Sequence, residues 1–115
     1  GLRVAGGEVR FDPRLLRARE FSSGSRQFRF LDVDGQWQEL KVPASGLAFT
    51  WCQVPIVYRL RADGRPALTI TRPDGRTQTL PQLSLPAELS ADIFRRSGEI
   101  RQISLDLPRN ALLQA

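Results

Sequence analysis

The chain contains no histidine, no methionine and a single cysteine, Cys52. Without an imidazole, neither a His/Cys metal site nor a Ser-His-Asp or Cys-His catalytic centre can be assembled. One cysteine excludes an intrachain disulfide. Lysine is almost absent, with Lys41 alone beside 16 arginines. No apolar run approaches the ~18 residues that a membrane-spanning helix needs. Because the chain starts at Gly1 without a methionine, it is expected to be a fragment, with any signal segment or membrane anchor lying upstream.

What is present is ordinary for a folded domain. Of the 115 residues, 41% are hydrophobic and 25% charged, which argues against global disorder. A chain of this length buries roughly 65% of its unfolded surface, enough for one core. A single domain over residues 1–115 is expected. The net charge is +5, spread over both halves, and the densest basic stretch is Arg10, Arg14, Arg17, Arg19, Arg26 and Arg29, set against Asp12 and Glu20. The arginine excess has a bland explanation in the codon usage of a GC-rich bacterium. It has a functional one in polyanion binding, since guanidinium groups pair well with phosphate and carboxylate.

Turn signals dominate the chain. Asp34-Gly35, Asp63-Gly64 and Asp74-Gly75 each separate apolar or alternating runs, the pattern of a type I′ hairpin turn. Between the turns, Gln27 to Val33, Gln36 to Val42, Leu47 to Cys52, Ile56 to Ala62 and Glu99 to Leu107 read as strands. Leu2 to Val4, Glu8 to Phe11, Ala67 to Arg72 and Arg76 to Leu80 complete a meander. Ile56, Tyr58 and Leu60 share one face, with Arg59 and Arg61 on the other. Eight prolines rule out long helices in the second half. A two-turn helix is expected after Asp12-Pro13, through Glu20, and Ser90 to Phe94 reads as another turn of helix or a strand. The fold class is therefore all-β, or mainly β with one short helix. The architecture expected is an antiparallel β-sandwich of about eight short strands, with a small barrel as the alternative.

The chemistry-bearing residues are sparse. The aspartates of the Asp-Gly pairs are more simply turn residues than acids or bases. Asp32 and Asp34 are a two-apart acidic pair of the kind that touches calcium, but one pair beside a turn is a weak signal. Glu88 and Asp92 have nothing converging on them. Cys52 follows Trp51 in an apolar run and reads as a buried, inert thiol. No phosphate-loop motif is present. Phe28, Phe30, Trp37, Phe49, Trp51, Tyr58 and Phe94 read mainly as core. Trp37 directly follows a turn and is the aromatic expected to be exposed, where it would serve as a stacking platform for a base or sugar. No catalytic residue, metal ligand or cofactor is expected.

Three short segments carry a resemblance. Gly1-Leu2-Arg3-Val4 leads into Glu8-Val9-Arg10-Phe11, and Phe28-Arg29-Phe30-Leu31 precedes Asp34-Gly35-Gln36-Trp37-Gln38-Glu39-Leu40. Ser97-Gly98-Glu99 then opens the late strand Ile100 to Leu107. This order resembles the globular part of the minor pseudopilins of type II secretion (the H type) and of FimT-like minor type IV pilins. The match covers about half the chain. The stretch from Asp12 to Ser25 departs from the family pattern, and the prepilin segment is not in this chain. The resemblance implies a periplasmic or otherwise extracytoplasmic bacterial subunit. It would dock to the protein subunits of a secretion or pilus assembly, catalyse nothing, and meet the membrane only through a segment outside this chain. The alternative is a basic β-domain that binds nucleic acid or another polyanion through the arginines from Arg10 to Arg29. In DNA-binding FimT-like members an arginine-rich tail makes the contact, and the tail here offers only Arg101 and Arg109.

Overall fold

Short runs of β-formers broken by turn residues become ten strands in the computed structural model, which describes residues 2–12, 21, 24–61 and 64–108. They are β1 (Leu2–Ala5), β2 (Glu8–Phe11), β3 (Arg26–Leu31), β4 (Trp37–Val42), β5 (Gly46–Trp51), β6 (Val54–Arg61), β7 (Ala67–Thr71), β8 (Thr77–Leu80), β9 (Ser84–Leu85) and β10 (Gln102–Pro108). One helix, α1 (Ala87–Phe94), lies between β9 and β10. The mainly-β expectation with one short helix is met, and Ser90 to Phe94 belongs to that helix. The helix expected through Glu20 and the turn residue Asp63 lie outside the described residues.

The strands form three sheets rather than two. The largest has the order β5-β6-β10-β7-β8, a second has the order β1-β2-β9, and β3 pairs only with β4. The expected all-antiparallel meander is corrected at one point. β10 inserts between the consecutive strands β6 and β7, running parallel to β6 and antiparallel to β7. Its residues explain the placement. Ile103, Leu105 and Leu107 are fully buried on one face, and Ser104 on the other is small and also buried. A strand that is apolar on one face and compact on the other suits the middle of a sheet covered on both sides.

One face of the large sheet carries Ile56, Tyr58, Leu60, Leu68, Ile70, Ile103, Leu105 and Leu107. These side chains join Val9 and Phe11 of β2, Leu85 of β9 and Ile93 of α1 in one core cluster. The small sheet and the helix therefore cover this inner face. Each such side chain contributes roughly 1.5–3 kcal/mol by leaving water. The buried hydroxyl of Ser90 ties helix to sheet: its Oγ accepts the Val9 N–H at 3.3 Å and donates to the Leu85 carbonyl at 3.0 Å. A polar group buried this deeply is tolerable because both of those bonds are made.

The β3–β4 hairpin lies across the outer face. Val42 of β4 and Val57 of β6 are buried, yet neither belongs to the main core cluster. Gly46 permits the approach: a Cβ there would stand 2.8 Å from both the Val42 Cγ1 and the Pro43 carbonyl oxygen.

Turn chemistry also departs from the expected type I′ form. At Asp34-Gly35 only Gly35 has positive φ, and the Gly35 N–H donates to the Asp32 carbonyl at 3.0 Å. The turn at Asp74-Gly75 repeats this, with Gly75 N–H donating to Arg72 O at 2.9 Å. Both are three-residue connections with one left-handed glycine, which need a single positive φ instead of two. Two successive positive φ values occur where neither residue is glycine, at Cys52 (50°) and Gln53 (66°) between β5 and β6. Side-chain-bearing residues held this way cost roughly 1–3 kcal/mol each.

Candidate functional site

In an antiparallel ribbon, alternate residues face opposite sides, so β3–β4 has two characters. Phe28, Phe30, Leu40 and Val42 face the large sheet. Phe28 and Phe30 stack with ring centroids 5.9 Å apart. The other side carries Gln27, Arg29, Leu31, Trp37, Glu39 and Lys41, all exposed.

On that outward side Trp37 is 62% exposed and stands directly opposite Leu31, which is 40% exposed. The Arg29 guanidinium lies over the indole, 4.6 Å from its centroid. Arg29 and Trp37 are diagonal neighbours across the ladder, a separation that long side chains bridge. Arg29 sits opposite Glu39 but gives its charge to the ring, since its carbon lies over the indole and no ion pair to Glu39 forms among the described residues. The expectation that Trp37 is exposed holds.

Of the arginines expected to form a basic patch, Arg10, Arg26 and Arg29 lie among the described residues. Arg10 is exposed on β2, in the small sheet, opposite Ser84. Arg26 and Arg29 are exposed on β3, and being three apart they point to opposite faces. Arg14, Arg17 and Arg19 lie outside the described residues. Arg59 and Arg61 do project from the outer face of β6, where both approach Asp106 Oδ1, at 2.9 and 3.3 Å. The Arg59 Nε contact is close but misdirected, so this atom makes no hydrogen bond.

The inward side of the hairpin forms a cleft of about 400 Å³ against the large sheet. Phe30 and Leu40 roof it, and Pro55, Thr71, Ile100 and Gln102 line the opposite wall. Asp32, Asp34, Glu39 and Arg101 also border it. Asp32 is fully engaged. Its Oδ1 accepts the N–H groups of Asp34 and Gln36 at 2.9 Å each, and its Oδ2 accepts from Gln38 Nε2 at 3.0 Å. These bonds, led by the Gln36 N–H and the Gln38 amide, hold its pKa below the ordinary 3.8. Asp32, which the sequence offers only as one of an acidic pair with Asp34, is the residue whose carboxylate caps the turn. No three His, Cys, Asp or Glu side chains converge as a metal-binding group among the described residues.

One residue that sequence reasoning missed closes the end of this cleft. Gln53 donates through Nε2 to the Asp32 carbonyl at 3.0 Å, and its Oε1 accepts from Arg96 Nε at 3.0 Å. Arg96 itself has φ 50° and ends α1 in the left-handed position usually filled by glycine. Three of the four non-glycine residues with positive φ among the described residues thus meet at one place: Cys52, Gln53 and Arg96. No turn residue announced this. Cys52 is half-buried and packs against the core cluster. Trp51 beside it meets Phe94 edge-on at 4.9 Å.

Tyr58 is the other displaced titratable group among the described residues. Burial, then the negative charge of Asp12, raises its phenol far above the ordinary range. It is a core residue between Phe11 and Phe49.

No model of a known protein family matches the chain, and no curated protein matches it. The fold is mainly β, with a mixed central sheet.

Proposed function

We propose that this domain works by docking to a protein partner through the outward face of the β3–β4 hairpin, as a non-catalytic assembly subunit. The carrying observation is Trp37, which is 62% exposed, opposite Leu31 and braced by Arg29. Tryptophan and arginine are the residues most often found as anchors of protein interfaces. Trp37 and Leu31 together make an exposed apolar spot with charged groups around it, the arrangement found at docking surfaces. The basic groups Arg29 and Lys41 favour a partner surface that combines apolar and acidic residues. The resemblance to minor pseudopilins supplies the setting: an extracytoplasmic bacterial secretion or pilus assembly, with sister subunits as partners.

The test is titration of this domain and of its Trp37→Ala variant into purified minor pseudopilin subunits. Binding by the parent that weakens at least tenfold in the variant, roughly 1.4 kcal/mol or more, supports the reading. Equal binding by the two, or none by the parent, overturns it.

The same Arg29–Trp37 pair favours a second reading, because an aromatic ring beside a guanidinium is also how single-stranded nucleic acid is held. Binding of short labelled single-stranded DNA that falls steeply with salt would put this polyanion reading first. Arg10, Arg26 and Arg29 would then be the residues to mutate.

A further inference from the structure

The large sheet ends on one side at β5, which pairs with β6 and has no partner at its other edge among the described residues. Edge strands are commonly blunted by charge, proline or short length, because an open row of N–H and C=O groups invites another strand. The other outermost strands here follow that rule. β1 carries Arg3, β3 carries Arg26 and Arg29, and β4 carries Glu39 and Lys41. β8 is four residues long between Arg76 and Pro81, and β9 is two residues long. β5 has none of these devices. Its six residues, Gly46-Leu47-Ala48-Phe49-Thr50-Trp51, hold no charge and no proline, and they pair with β6 without a bulge.

The hydrogen-bond alternation of the ladder identifies the open groups. The Leu60 N–H donates to the Ser45 carbonyl at 2.9 Å. By the antiparallel alternation, Leu47, Phe49 and Trp51 therefore exchange bonds with β6, while Ala48 and Thr50 direct their backbone groups to the other edge. Pro55, which has no N–H, stands opposite Thr50, where no bond is made. Gly46 is buried against Val42 and Pro43 and adds nothing to this edge. The two faces of the strand differ in bulk. Leu47, Phe49 and Trp51 lie half-buried at the rim of the core, and the small residues Ala48 and Thr50 alternate with them on the outer face.

We propose that this edge pairs with β5 of a second copy of the chain, antiparallel about a two-fold axis at Phe49. In that register Ala48 and Thr50 of one copy exchange backbone bonds with Thr50 and Ala48 of the other. Phe49 meets Phe49 of the second copy, and Leu47 meets its Trp51. Bulk opposes bulk on the inner face, and small side chains oppose small ones on the outer face. A two-fold interface requires a surface complementary to itself, and this strand meets that condition. Charge selects the same partner. Each copy is net +5, so two copies meet with least repulsion along an edge that carries no cation. The guanidinium one strand inward, Arg59 opposite Gly46, is held by Asp106 at 2.9 Å. An acidic partner strand would find no cation on β5 to recognise. The dimer joins two five-stranded sheets into one and uses no residue of the Trp37 face.

Bonded only through Ala48 and Thr50, the contact lies at the small end of protein interfaces, so association is expected between about 10 µM and about 1 mM. Sedimentation equilibrium across that range should show the mean mass rise from 12.9 kDa toward twice that value and stop there. Thr50→Lys, at an exposed position, sets like charges near one another across the new ladder and should weaken association at least about tenfold. Circular dichroism checks that this variant is folded. Thr77→Lys, the same change on the opposite edge strand β8, should leave association unaltered. Amide exchange with water, followed by NMR, locates the contact. The Ala48 and Thr50 N–H groups should slow severalfold as concentration rises, while Leu47 and Phe49, already bonded to β6, should not change. A constant monomer mass overturns the proposal and returns this edge to a strand of another protein. It is equally overturned by a mass that climbs past the dimer, by Thr50→Lys associating as well as the parent, or by exchange at Ala48 and Thr50 that ignores concentration.

Discussion

Arg29 places its guanidinium 4.6 Å from the centre of the Trp37 ring, across the ladder and one pair removed from its own partner Glu39. The contact braces an indole that is 62% exposed, so it orders the ring without burying it. Cation–π contacts at exposed sites are worth about 0.5–1 kcal/mol. Arg29→Ala is therefore expected to leave global stability within about 1 kcal/mol of the parent. The Trp37 ring should become more mobile. Time-resolved anisotropy and acrylamide quenching of a Trp51→Phe background, which leaves Trp37 as the single indole, should show faster local motion and more quenching. Unchanged quenching would show that Arg29 does not hold the ring.

Gly46→Ala is expected to destabilise the domain by about 1–3 kcal/mol. The added methyl would meet the Pro43 carbonyl oxygen and Val42 Cγ1, each 2.8 Å away. Backbone on one side cannot yield as a side-chain tip can. Urea denaturation measures the loss, and an unchanged midpoint would mean that the hairpin base shifts freely.

Removing the Ser90 hydroxyl leaves the Val9 N–H and the Leu85 carbonyl without the bonds they make to it. Ser90→Ala is thus expected to cost about 1–3 kcal/mol, the penalty for buried polar groups left unsatisfied. Thermal unfolding reads this directly. Hydrogen exchange should quicken at Val9, the one N–H bonded to the hydroxyl.

Gln53→Gly has two opposing effects. Glycine relieves the positive φ of 66°, and the bonds to Asp32 and Arg96 disappear. Global stability should change by less than about 1 kcal/mol, because relief and loss are of similar size. Amide exchange in β3 and β4 should nonetheless accelerate, since this residue ties the hairpin tip to the sheet. Unaltered exchange there would show that Val42 and the sheet hold the hairpin unaided.

Asp32 makes the acid limb of stability predictable in sign. Its folded pKa lies below the ordinary 3.8 because three donors favour the carboxylate, led by the Gln36 N–H. The unfolded chain therefore binds its proton first as pH falls. The stabilising contribution is complete above the ordinary value and is lost as pH drops through the folded one. Denaturation from about pH 6 to about pH 2.5 should show a shallower acid loss in Asp32→Asn than in the parent.

Local features of the fold are legible in the sequence because they depend on local rules. The alternation of Ile56, Tyr58 and Leu60 against Arg59 and Arg61 identifies both faces of β6 without knowledge of its neighbours. Trp37 after its turn reads as exposed for the same reason. Pairing between distant segments is not local, and there the reading fails. Nothing in Gln102–Pro108 states that it lies parallel to β6, because parallel and antiparallel partners ask for similar side chains. The Cys52–Gln53 turn carries no glycine or asparagine, so turn chemistry gave no sign of it. The pair β9, two residues long, is too short for any periodicity. The cleft is invisible for a related reason: Phe30, Pro55 and Gln102 meet only once the hairpin has crossed the sheet.

The position of β10 has a consequence for how the domain comes into being. The strand at the centre of the large sheet is the last one described in the chain, with β6 on one side and β7 on the other. Leu105 and Leu107, fully buried, sit between strands made some forty residues earlier. Until Gln102–Pro108 is available, β6 and β7 lack the strand that bridges them in the finished sheet. Each has one backbone edge whose native partner is β10, and an unpartnered strand edge is the surface most prone to pairing with the wrong neighbour. Completion of the native sheet therefore waits on the last of the described strands.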